Sequence, residues 1–124
     1  MQPAPRKLTT QQKAVLIRTL REFSDQHVEV HYLPRASDAL SYAQDFLAVF
    51  TAIGWRVDGA APANDLAGQL VGLGFVVNEQ GSLPASAEAL RDSLRIFGIE
   101  IATVFDPSCT TVAGGFTLAV GPQA

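Results

Sequence analysis

Residues 28–40 read VEVHYLPRASDAL, an alternating apolar stretch that turns at a Pro-Arg corner into a helix start. A helix start beside an arginine is a common way to hold a phosphate or carboxylate. The free N–H groups of Ser37, Asp38 and Ala39 would carry the positive end of the helix dipole. Arg35 adds a planar fork of donors suited to either anion. Ser37 or Asp38 can cap the helix, and Asp38 can also take the anion's place with its own carboxylate. No run of glycines lets a pyrophosphate come close. The plain alternative is an ordinary cap with a solvent-facing arginine.

Two other stretches carry polar groups. Asn78 lies in the turn NEQGS, and Asp106, Ser108 and Thr110 lie in the loop DPSCTTVAGG, whose glycines would let it fold over a ligand. If the strands before these loops run parallel to the strand before Arg35, all three loops emerge at one carboxyl edge. Open α/β sheets bind ligands there. The predicted ligand-binding set is therefore Arg35, Ser37, Asp38, Asn78, Asp106, Ser108 and Thr110, gathered by topology and not by a motif.

Catalysis finds little support. His27 and His31 share one face of a strand, yet four residues of extended chain put them about 13 Å apart, too far for one metal. Cys109 stands among hydroxyl residues without a second cysteine or a nucleophile motif. No G-x-S-x-G, H-E-x-x-H or Walker loop is present. The glycines of GLG at 72–74 fall inside a strand, not between a strand and a helix as a dinucleotide fingerprint requires. They imply close packing over one face of that strand. No metal, cofactor or catalytic residue is expected.

The elements that must position these residues follow from periodicity. Thr9 stands three before Gln12, a capping-box spacing, and Leu16, Ile17, Leu20 and Phe23 continue a helix over about 9–24. Val28, Val30 and Tyr32 alternate with Glu29 and His31 as a strand. Leu40, Ala43, Leu47, Phe50 and Ile53 make a helical stripe that Tyr42, Phe46 and Val49 widen. Gly54 closes that helix, and WRV begins the next strand. This strand–helix–strand run predicts parallel strands joined right-handedly.

A loop from 58, with one helical turn near 64–68, leads to LVGLGFVV, apolar on both faces and hence central. Ala87, Leu90, Leu94 and Phe97 mark a third helix, closed by Gly98. IEIATVF is a fourth strand and FTLAV a fifth. With no helix between these last two, an antiparallel hairpin is expected. The fold class is α/β: a small three-layer sandwich, flavodoxin-like or Rossmann-like, with a mostly parallel five-stranded sheet, three helices and an antiparallel last strand. The segments AIGWRV and IFGIEI echo each other, but two instances of a standard connection do not make a repeat.

A chain of 124 residues, 48% hydrophobic and 17% charged, fits a single folded domain. The expected organisation is a flexible leader over 1–7 and one α/β domain over 8–124. A net charge of −3 argues against a nucleic-acid groove. Five of the nine basic residues, Arg6, Lys7, Lys13, Arg18 and Arg21, fall in the first 21 positions, most simply as a solvated helix face. One cysteine allows no internal disulfide, so a reducing, cytoplasmic setting is expected. No apolar run reaches the roughly 18 residues of a membrane span, and no secretory signal opens the chain.

The segments LTTQQKAVLIRTL, DALSYAQDFLAVFTAIGWRV, PASAEALRDSLRIFGIEI and LAVGP, in that order, resemble a soluble α/β domain of uncharacterised bacterial proteins. The likeness spans most of residues 8–122 and rests on YA in the long helix, GW after it and VG near the end. In that family the domain commonly follows one or two transmembrane helices. The resemblance implies the cytosolic part of a membrane-associated protein, held to the membrane only by a segment that this chain does not contain. It brings no catalytic residues. Family members often continue VG with Lys-Pro, whereas Val120-Gly121 here runs into Pro122-Gln123, so a role for that lysine does not transfer.

Two functions are therefore expected. The first is a non-catalytic sensing or regulatory domain that binds a small anionic or nucleotide-like ligand at the carboxyl edge. The second is a homodimer or other protein-interaction module, formed through the 37–53 helix if its wide apolar stripe is exposed. A small transferase using the 106–115 loop is a distant third.

Overall fold

The computed structural model describes residues 6–23, 26–34, 36–62, 72–77, 83–105 and 115–122. The described elements are α1 (Thr10–Leu20), β1 (His27–Tyr32), α2 (Ala39–Ile53), β2 (Arg56–Pro62), β3 (Leu73–Val77), α3 (Ala85–Ile96), β4 (Ile101–Phe105) and β5 (Gly115–Val120). Thr9 caps α1 through the full capping box: its hydroxyl accepts from the Gln12 N–H, and the Gln12 side chain accepts from the Thr9 N–H. Gly54 takes the left-handed conformation at φ +90° that ends α2, and Gly98 does the same after α3.

The chain is an α/β fold, whose described residues form three helices and one five-stranded mixed sheet in the order β2-β1-β5-β3-β4. β1 pairs in parallel with β2 and β5, β3 pairs in parallel with β4, and β5 runs antiparallel to β3. The antiparallel last strand is as expected, but its partner is not. β5 does not form a hairpin with β4, because β3 lies between them. Residues 116–120 of β5 are all buried. A strand buried on both faces stabilises most when neighbours flank both its edges, so β5 sits in the middle of the sheet and β4 at its rim.

One core joins Leu16 and Leu20 of α1, Phe46 and Phe50 of α2 and Leu90 and Leu94 of α3. From the strands it takes Val28, Val30, Phe116, Leu118, Leu73 and Phe75, which the register places on a single face. α1 packs against both other helices. The described helices thus form one layer on one face of the sheet, while Val76, Thr117 and Ala119, which the register turns to the other face, are buried as well. The shared face of the helices has a topological cause. The β1–α2–β2 and β3–α3–β4 units flank β5 and point in opposite directions, so the same right-handed crossover sets both helices on the same face.

Aromatic rings centre the core. Phe50 stacks on Trp55 at 5.4 Å, and Phe116 meets Phe50 edge-on at 6.0 Å and Phe75 at 5.3 Å. The Trp55 Nε1–H donates to the Phe23 carbonyl at 2.9 Å, which ties the end of α1 to the start of β2.

Candidate functional site

β1 ends at Tyr32, and the Leu33 N–H donates to the Val120 carbonyl, so β1 and β5 finish side by side at one edge of the sheet. The chain then turns through hydrogen bonds from Ala36 to Leu33 and from Ala39 to Ala36 before α2 begins. Asp38 stands at the N-cap of α2 but makes no side-chain cap. Its carboxylate, only 9% exposed, is instead held by Arg6.

That contact is dense. The Arg6 backbone N–H and Nε both donate to Asp38 Oδ2, at 2.8 and 2.9 Å, and Nη2 donates to Oδ1 at 3.0 Å. Nη2 also donates to the Gly121 carbonyl at 2.5 Å. The guanidinium lies 5.1 Å from the centre of the Tyr42 ring, within cation–π range. Asp38, Tyr42 and Asp45 are spaced by four and three residues and so share one face of α2. The chain before α1 runs along that face. The Leu8 N–H donates to Asp45 Oδ2 at 2.9 Å, and Lys13 Nζ lies 3.8 Å from Asp45 Oδ1. Burial pushes the Tyr42 hydroxyl above the ordinary tyrosine range. Arg6 pulls it down, and the Asp45 and Asp38 charges push it up.

Arg6 falls within the stretch expected to be a flexible leader, yet among the described residues it is the most heavily bonded cation of this edge. Sequence spacing could not reveal it, since its partner lies 32 residues away. The one faint signal was a pair of aspartates, Asp38 and Asp45, bordering the apolar stripe of α2.

Of the predicted site residues, Arg35, Asn78, Asp106, Ser108 and Thr110 lie outside the described residues, as does Cys109. Ser37 is exposed in the turn before α2, and Asp38 is engaged by Arg6. The shared carboxyl edge is not formed. β3 and β4 run opposite to β1, so Val77 and Phe105 end at the other edge of the sheet. Five residues of strand separate the two edges by about 17 Å. The loops after β3 and β4 therefore start at the edge opposite residues 33–38, because the parallel run of β1, β3 and β4 that the connections suggest is broken where β3 pairs antiparallel with β5.

The wide stripe of α2 is not an exposed interface either. Tyr42, Phe46 and Val49 are all buried in the core, because α2 packs against both the sheet and α1. His27 and His31 do share the face turned from the helices. Each meets its own carboxylate: His27 Nε2 lies 2.6 Å from Asp58 Oδ2, and His31 Nε2 lies 3.5 Å from Glu29 Oε2. Among the described residues no three metal-binding side chains come together. Nor is any described helix long and apolar enough to cross a membrane.

Gly74 is buried inside β3, on the face turned from the described helices. Gly72 has a different reason to be glycine. It sits at φ +78°, its N–H donates to the Pro122 carbonyl, and its carbonyl accepts from the Gly121 N–H, both at 2.7 Å. The segment that meets Arg6 is thus fastened to the start of β3. No family model, curated protein or solved structure matches the chain.

Proposed function

We propose that this chain is a non-catalytic sensing or regulatory domain that takes a small anion at the edge where β1 and β5 end. The observation that carries this reading is the Arg6–Asp38 pair at the start of α2. An arginine that grips a carboxylate in both arms there has the chemistry to grip a ligand's carboxylate or phosphate. Such a ligand competes with Asp38 for Arg6, and binding is read out as release of the segment that precedes α1. Arg35, three residues before Asp38, supplies a second cation in this reading. The resemblance to membrane-associated proteins favours the cytosolic face of a membrane as the place of action.

The test is a thermal-shift panel of nucleotides, cyclic nucleotides, sugar phosphates and small carboxylates. A ligand that binds only the folded state adds about 2.7 kcal/mol of stability at a hundredfold excess over its Kd. The expected result is a rise in Tm with one anionic class, diminished in Arg35→Ala, a variant whose own Tm is unchanged. A flat panel overturns the reading. Unchanged affinity in Arg35→Ala removes that residue from the site.

A further inference from the structure

We infer that β4 is a self-association edge, along which two copies of this chain pair antiparallel about a two-fold axis to join their sheets. The two rims of the sheet are built differently. β2 carries Arg56, Asp58, Gly59 and Pro62, and its pairing with β1 slips register between Glu29 and His31. Charge, proline and irregular pairing are the usual devices that stop a strand from accepting another. β4 reads IATVF, without a charge, a proline or a glycine, and its pairing with β3 is regular over all five residues.

Among the described residues nothing pairs with the outer edge of β4. Ala102 and Thr103 point to opposite faces, and both are exposed. Its outward backbone N–H and C=O groups form a template that only another strand satisfies along its whole length. Charge favours a second copy as that strand. α3, which leads into β4, has Glu88 in its first turn and Arg95 in its last. A two-fold that makes the β4 strands antiparallel also turns the acidic end of one α3 toward the basic end of the other. Five residues of edge keep the interface small, below about 1,200 Å², so the dimer is a reversible one.

The test is light scattering on the full chain from about 1 μM to about 1 mM, the span over which weak interfaces dissociate. The wild type is expected to pass from monomer to dimer. Ala102→Lys and Thr103→Lys, each at an exposed position that folding tolerates, should weaken the association at least tenfold. Ala48→Lys, at an exposed position on α2, should leave it unchanged. A monomer at every concentration overturns the inference. So does a dimer indifferent to both β4 variants, or one that Ala48→Lys weakens equally.

Discussion

Arg6 and Asp38, 32 residues apart, meet through three hydrogen bonds that fasten the approach to α1 onto the N-cap of α2. The arginine side chain is 17% exposed and the aspartate 9%, so water screens the pair only weakly. The same guanidinium reaches the Gly121 carbonyl, and the residue after β5 thereby joins the clasp.

Replacing Arg6 with Ala keeps the backbone N–H bond to Asp38 but removes the guanidinium's two bonds to Asp38 and its bond to Gly121, together with the contact over Tyr42. Hydrogen bonds to a charged group each contribute about 1.5–3 kcal/mol, and burial here keeps them near that range. Arg6→Ala is expected to lower the free energy of unfolding in urea by about 2 kcal/mol. A loss under about 0.5 kcal/mol, the size of an ordinary surface change, would show that the clasp does not stabilise the fold.

Tyr42 links the clasp to pH. Its hydroxyl titrates above the tyrosine norm in the folded state, first because it is buried. The folded chain therefore holds this proton more tightly than the unfolded chain does. The resulting stability is complete below the unfolded pKa near 10 and is lost as pH rises through the folded value. In a Tyr32→Phe background, ultraviolet titration of the one remaining phenol should report that raised pKa. Arg6→Ala should move it further up, because Arg6 is the group that lowers it.

Phe116 sits between Phe50, Trp55 and Phe75 and is 4% exposed. Phe116→Ala opens a cavity at the middle of the sheet and should cost about 3–5 kcal/mol. Calorimetry would reveal it as the largest drop in Tm of the substitutions considered.

Trp55→Phe keeps most of the stacking on Phe50 but leaves the Phe23 carbonyl without the indole donor. The expected cost is about 1–2 kcal/mol by denaturant titration, with circular dichroism as the probe because the only tryptophan is gone.

Gly72→Ala is a test of backbone conformation alone. An added Cβ would meet nothing within 4 Å, yet the residue sits at φ +78°. The left-handed backbone costs a non-glycine residue about 1–2 kcal/mol. Gly59→Ala, also with open space but without a positive φ, should cost less than Gly72→Ala in the same denaturation assay.

The local features were legible in the sequence because each depends on neighbours a few residues away. The capping box at Thr9 and Gln12, the glycines after α2 and α3, and the alternation of Val28 and Val30 are short-range patterns. So is the parallel pairing of β1 with β2, since a helix of this length between two strands permits little else. The candidate site was less legible. Asp38 was singled out for its own carboxylate, but Arg6, which holds it, had no signal near it.

The sequence by itself determined the helices, the strands and the face that each residue turns inward, since periodicity records burial one element at a time. Only the tertiary structure decided which strands lie side by side. β5 took the centre because residues 116–120 are buried on both faces, and that put β3 between β5 and β4 and reversed the second strand–helix–strand unit. From this reversal followed the shared face of the described helices, the two separate carboxyl edges and the place of β4 at the rim of the described sheet. Strand direction is fixed by hydrogen bonds between segments far apart in the chain, and no short-range pattern of residues encodes it.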